Sequence, residues 1–203
     1  MNIDTNCKQL KIGLIGFGSM GRTHLFSVRA IPFYFDGCGF SATVHGLCTA
    51  HFDKTKIVCQ EYGLSKAYID EDDLIGDKEI DIIDICTPNI YHFDTAKKAL
   101  LAGKHVLCEK PLCVTKEEAA ELCSLAKSAG KICGIVFNNR FLSPVLAAKK
   151  LIDSGRLGKI LSFKGEYLHN SCLDVKKAAG WKQTSLYCGG VINDLGSHVV
   201  DLI

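Results

Sequence analysis

"LKIGLIGFGSMG", residues 10–21, decides the fold. Its first half is a short apolar run of the kind that forms a buried strand. Its second half, Gly16-Phe17-Gly18-Ser19-Met20-Gly21, has G-x-G-x-x-G spacing, and "MGRTHLFSVRA" then reads as a helix. Glycine-rich turns occur in many loops, so the spacing alone says little. Between a strand and a helix it says much more. The first glycine permits the tight turn, the second lets backbone approach a pyrophosphate, and the third allows close helix–strand contact. The helix start adds free N–H groups and positive potential, so the segment reads as a dinucleotide-binding turn.

Downstream, β-type runs keep alternating with helical patterns. "IPFYFDGCGF" reads as an extra loop, "ATVHGLC" as a strand, and "DKTKIVCQEYG" as a helix stopped by Gly63. "KAYI" is a short strand and "DEDDLIG" a helical turn. "IDIIDIC" is an apolar run with two aspartates, stopped by Pro88, and Asn89 is placed to cap the helix "IYHFDTAKKALLAG". "HVLC" is the next strand. Thr115 and Glu118 have capping-box spacing for a helix that ends at Gly130, and "KICGIVF" is a further strand. Strands buried on both faces and separated by helices predict an α/β, doubly wound parallel sheet over residues 8–137.

Beyond it the style changes. "SPVLAAKKLIDSGRLG" reads as a helix, "KILSFKGEYLH" as a long alternating strand, and "GGVINDLGSHVVDLI" as a loop running into a helix. One strand cannot make a sheet. Residues 138–203 are therefore expected to be the start of a second domain, incomplete and inactive alone.

The totals narrow the class. With 47% hydrophobic residues the 203-residue chain can bury a substantial core, and its net charge of +2 gives no support to nucleic-acid or membrane binding. The eleven cysteines never form C-x-x-C, and several lie in apolar runs, which predicts reduced thiols in a cytoplasmic protein and no metal site. "MNIDTNCKQL" is neither a signal peptide nor a membrane span.

Two strand ends draw attention. "CTPN" (86–89) and "CEKPL" (108–112) both carry proline and polar groups on the carboxyl edge, where ligands of open α/β sheets sit. Each is also readable as a strand stop followed by a turn. The ribose-reading position is ambiguous. Asp36 has the expected separation but falls in the extra loop, and Thr49 stands at the end of the second strand where an acid would grip the ribose hydroxyls. NAD and NADP both stay open. Asp194, His198 and Asp201 would share one helical face, which suits either an oriented imidazole or a cap with a buried histidine. His92 reads as packing or as a neighbour of the cofactor.

Taken together, "GFGSMG", "EYG", "DIIDICTPNIYH", "AGKHVLCEKPL", "NRF", "LIDSGRLGKI", "GEY" and "GGVINDLGSHVVDL" resemble, in that order, the glucose–fructose oxidoreductase, inositol dehydrogenase and rhizopine-catabolism (Gfo/Idh/MocA) family. The resemblance runs from Leu10 to Ile203. It implies a Rossmann domain followed by an α/β domain with an open, mainly antiparallel sheet that serves substrate and oligomer contacts. It further implies that Gly16, Phe17, Gly18, Ser19 and Met20 line the pyrophosphate and adenosine side. Thr87, Pro88, Asn89 and His92 would lie along the cofactor, with Glu109 near the nicotinamide ribose. Lys110 would contact the reacting oxygen, Asp194 and His198 would form the acid–base pair, and Arg140 and Trp181 would fall near the substrate. Thr49 at the ribose position and the incomplete second domain depart from the family pattern.

The activity so implied is hydride transfer between a sugar or cyclitol hydroxyl carbon and NAD, with NADP possible, in a protein that is a homo-oligomer at full length. Two other readings stand beside it. One is a non-catalytic, dinucleotide-responsive binding protein of the same fold. The other is a transhydrogenating oxidoreductase that keeps its NADP tightly bound.

Overall fold

The structure, a computed structural model, describes all residues except 1–7, 36, 38, 171, 172, 175, 177 and 179. The chain divides into two units, Met1–Ile135 and Val136–Ile203.

The first unit is built on strands β1 (Lys8–Ile15), β2 (Phe40–Cys48), β3 (Lys66–Tyr68), β4 (Ile82–Ile85), β5 (His105–Glu109) and β6 (Cys133–Val136). They lie in the order β3-β2-β1-β4-β5-β6, and β1–β2, β2–β3, β1–β4 and β4–β5 all pair in parallel. The chain therefore winds one way from β1 to β3, returns to β4, and winds the other way. The reversal falls between β1 and β4.

Helices α1 (Ser19–Tyr34), α2 (Phe52–Tyr62), α3 (Glu71–Gly76), α4 (His92–Leu101) and α5 (Lys116–Ala129) connect the strands. Side chains alternate along each strand, so each strand feeds two cores. From β1, Ile12 and Leu14 pack with Leu25 of α1 and Val58 of α2, while Ile15 packs with Ile83, Ile85, Leu100 and Leu122. Leu14, Leu47, Ile83 and Leu122 are fully buried, each contributing about 1.5–3 kcal/mol against the entropy of ordering the chain. Asp84 sits in β4 between Ile83 and Ile85, and alternation turns it to the opposite face, toward α1.

Local signals set several boundaries. The Thr115 hydroxyl accepts from the Glu118 amide at 3.2 Å and the Glu118 carboxylate accepts from the Thr115 amide at 3.0 Å, completing the expected capping box. Gly63 and Gly130 end α2 and α5 in the left-handed conformation.

Three expectations need correction. The supposed loop from Ile31 is the last turn of α1, which runs through Pro32 to Tyr34. A proline that late removes one bond, and the Phe35 amide still reaches the Ile31 carbonyl at 3.0 Å. Asn89 does not cap α4. It opens a 3-10 turn, Asn89–Tyr91, and α4 begins at His92.

The third correction concerns the second unit, where "KILSFKGEYLH" forms no strand. After α6 (Ser143–Asp153) no strand occurs among the described residues. A strand is held by ladder hydrogen bonds, and this segment has no neighbouring strand to supply them. Leu161 and Leu168 in this segment are exposed. The unit ends in α7 (Ser197–Asp201), entered through a π-helical turn at Ile192–Gly196. Among the described residues no helix is long and apolar enough to cross a membrane.

Candidate functional site

The reversal between β1 and β4 places two strand ends side by side, and ligands of open α/β sheets bind at such a point. β1 runs into Gly16, and β4 runs into Cys86 and Thr87. The Cys86 amide donates to the Ile15 carbonyl at 2.8 Å, and the Gly16 amide to the Cys48 carbonyl at 2.9 Å. Gly16 has φ +93°, and a Cβ there would lie 2.6 Å from the Cys86 carbonyl oxygen. A Cβ on Gly21 would lie 2.3 Å from the Gly16 oxygen. The outer two glycines thus let the turn close.

Gly18 differs. It is exposed, and a Cβ there would meet nothing within 4 Å. It is also the N-cap of α1, with no side-chain cap and no acidic residue in the first turn. Open space above uncapped N–H groups suits a diphosphate. Ser19 is exposed and Met20 half-buried beside it. Phe17, expected among the lining residues, sends its ring into the core, 5.5 Å from the Tyr62 ring, so only its backbone is left for a ligand.

The "CTPN" and "CEKPL" ends follow parallel neighbours, β4 and β5. The His92 ring links them: Nε2 lies 2.9 Å from the Thr87 carbonyl oxygen and Nδ1 lies 2.7 Å from that of Pro111. The ring is fully buried between the two strand ends. Its two nitrogens are engaged with the strand ends. The Thr87 hydroxyl is buried and has no hydrogen-bond partner among the described residues, and Asn89, two positions on, is buried too. An orphaned hydroxyl at this end, with the space over Gly18, fits a bound dinucleotide. The Lys110–Pro111 peptide is cis, Lys110 is half-buried, and its amide donates to Glu109 Oε2 at 3.2 Å.

Beneath these ends lies a buried polar cluster, of which the sequence reading singled out only Glu109. His24, one turn past Gly21 in α1, directs Nδ1 at both Asp84 oxygens, 2.9 Å each, and Nε2 at Glu109 Oε1, 3.1 Å. The Cys86 thiol lies 3.3 Å from Nδ1. Burial works to lower the His24 pKa, but its hydrogen bonds to Asp84, Cys86 and Glu109 outweigh it and push it up to about 12. Burial drives the Cys86 thiol up to about 12, against the hydrogen bond from His24, so it stays protonated and unreactive. One sequence signal pointed here: an aspartate inside the otherwise apolar "DIIDIC", which a buried strand tolerates only with a partner.

At the ribose position, the Thr49 hydroxyl is held by Thr55 Oγ1 at 2.9 Å and donates to the His51 carbonyl at 3.1 Å. Asp36 lies outside the described residues.

In the second unit, Asp194 lies in the π-helical turn and His198 in α7. The two residues stand four apart across the junction of the π turn and α7. Asp194 Oδ1 is 3.0 Å from Lys182 Nζ. His198 is buried, its ring centroid 5.9 and 5.8 Å from those of Phe137 and Tyr167 in edge-to-face contacts. Asp201, expected on their face, is gripped by both arms of Arg140, with Nε at 2.7 Å from Oδ2. Trp181 opens a 3-10 turn and carries the Lys182 ammonium 5.7 Å from its ring centroid.

Comparison with known proteins places this geometry. Residues 10–137 match the family model for the GFO_IDH_MocA oxidoreductase family, NAD-binding Rossmann fold, and residues 145–203 match the model for its C-terminal domain. The chain is 33% identical to levoglucosan dehydrogenase of Pseudarthrobacter phenanthrenivorans over 196 residues, 96% of this chain and 50% of that protein. It is 33% identical to glucose-6-phosphate 3-dehydrogenase of Bacillus subtilis over 195 residues, 95% of this chain and 52% of that protein. Among solved structures, levoglucosan dehydrogenase in complex with NADH and levoglucosan superposes with a TM-score of 0.91 at 33% identity, over 96% of this chain and 53% of that one. The chain spans about half the length of these relatives.

Proposed function

The chain belongs to the Gfo/Idh/MocA oxidoreductase family, and from that premise we propose that its protein is an NAD-dependent dehydrogenase acting on sugar or cyclitol hydroxyl groups. The observation that supports this most is the meeting, at one sheet reversal, of the open Gly18 turn with the orphaned Thr87 hydroxyl. The names of the relatives, which are dehydrogenases of levoglucosan and glucose 6-phosphate, support the substrate class.

In this reading the backbone of Gly16–Gly21 holds the pyrophosphate, and the fixed N–H groups of α1 neutralise its charge. Thr87, Pro88, Asn89 and Glu109 line the rest of the cofactor, and Thr49 borders the ribose. NAD, when bound, supplies the acceptor for the substrate hydride. Lys110 holds a positive charge against the substrate oxygen, which gains alkoxide character as hydride departs. The hydroxyl proton passes to the imidazole of His198, with Asp194 as its orienting carboxylate. Arg140 and Trp181 contact the sugar. The protein is further proposed to be a homo-oligomer working in the cytosol, in keeping with the buried thiols of Cys48, Cys59 and Cys108.

The test is a screen of the full-length protein against aldoses, polyols and cyclitols with NAD and with NADP, following absorbance of the reduced nicotinamide. Substrate-dependent reduction of NAD supports the proposal. No reduction with any alcohol of the panel would overturn it.

A further inference from the structure

We propose that His24 is a positioning residue for this reaction: as an imidazolium it bridges Asp84 and Glu109 and so fixes the strand end that carries Lys110. The proposal rests on the dehydrogenase reading only for its effect on turnover. The bridge itself stands on geometry.

Three elements converge on the ring. α1 supplies His24, β4 supplies Asp84, and β5 supplies Glu109. Asp84 is fully buried and Glu109 nearly so, at 0% and 7% exposure. Two carboxylates buried so close would repel unless a cation stood between them. Each ring nitrogen of His24 meets a carboxylate oxygen, at 2.9 and 3.1 Å. A carboxylate only accepts, so both nitrogens must donate, and only the imidazolium has two N–H groups. A neutral ring would aim a lone pair at one of the acids. A metal ion does not account for the cluster equally well. Ligand atoms around a tetrahedral ion stand about 3.4 Å apart given metal–ligand distances near 2.1 Å. The 2.9 Å spacing to Asp84 is that of a hydrogen bond.

The chain of contacts continues outward. Glu109 Oε1 takes the His24 bond, and Oε2 takes the amide of Lys110 at 3.2 Å. Both oxygens are thus held, and with them the peptide from which the lysine projects. Because His24 stands one turn beyond the glycine turn, the same ring couples the start of α1 to that strand end.

The experiment uses the full-length protein. Nitrogen-detected NMR of its imidazole rings, with His24 assigned by its disappearance in His24→Gln, reads the protonation state directly. A His24 ring doubly protonated at about pH 8 is expected, well above the ordinary histidine range. A neutral tautomer there overturns the proposal, whatever turnover does and whether or not the variant folds well. In His24→Gln, kcat is expected to fall about 10- to 100-fold, the effect of a small misplacement of a catalytic group, while the Kd for NAD changes less than about threefold. A loss of NAD affinity as large as the loss in kcat would mean a general structural role and would contradict the proposal. Lys110→Ala, run in parallel, separates the two levels. If it leaves kcat unchanged the dehydrogenase mechanism fails, while the NMR result still decides the bridge.

Discussion

His92 Nδ1 lies 2.7 Å from the carbonyl oxygen of Pro111, so the buried first residue of α4 holds the far side of the cis peptide that follows Lys110. Its other nitrogen, 2.9 Å from the Thr87 carbonyl, holds the neighbouring strand end. Replacing it with leucine removes the ring's N–H donor from between these carbonyls. His92→Leu should cost about 1–3 kcal/mol in urea unfolding and lower kcat along with stability. Unchanged stability would mean that the two ends are held by other contacts.

The glycine turn makes a sharper contrast. Gly18→Ala should fold with stability within about 1 kcal/mol of the parent, because nothing stands within 4 Å of the new Cβ, yet should weaken NAD binding. Gly21→Ala should be destabilised by more than about 2 kcal/mol, because its Cβ would sit 2.3 Å from the Gly16 oxygen. Thermal melts with calorimetric titration of NAD check both. Equal stability for the two variants would count against the assignment of roles within the turn.

Nucleotide choice follows from Thr49. Its hydroxyl is already committed to Thr55 and His51, and no arginine follows it to clasp a 2′-phosphate. The full-length protein should bind NAD more tightly than NADP in calorimetry. Tighter NADP binding would contradict this.

Acid should weaken the first unit in part through Asp77. Lys66, Tyr68 and the Glu79 amide all donate to its carboxylate, and they hold it well below the usual carboxylate range, Lys66 foremost. A depressed folded-state pKa adds stability that is present above the ordinary value of 3.8 and is lost as pH falls below it. The stability gap between the parent and Asp77→Asn should therefore be wide at about pH 6 and narrow at about pH 3. A gap that widens on acidification would reverse the sign of the argument.

What could be read from the sequence was local. The glycine turn, the capping box at Thr115 and Glu118, and the stops at Gly63 and Gly130 are each specified within a few residues, and each stands in the structure. His24, Asp84 and Glu109 are separated by 60 and 85 residues of chain, so only the strand order brings them together. The contacts of His92 were hidden for the same reason, since its partners lie on two different strand ends. "KILSFKGEYLH" alternates as a strand should, but alternation cannot supply a hydrogen-bonded neighbour. "IPFYFDGCGF" read as a loop, yet Pro32 so near the helix end costs one bond and the last turn forms anyway.

The central claim is that the end of β5 presents Lys110 as the charge that meets the reacting oxygen. Steady-state kinetics of Lys110→Ala in the full-length protein, with NAD affinity measured separately, test it most directly. Loss of a preorganised group that acts in the transition state should lower kcat by about 100- to 1,000-fold and change KM and the NAD Kd far less. A kcat within a few-fold of the parent would show that "CEKPL" is only a turn and would contradict the account.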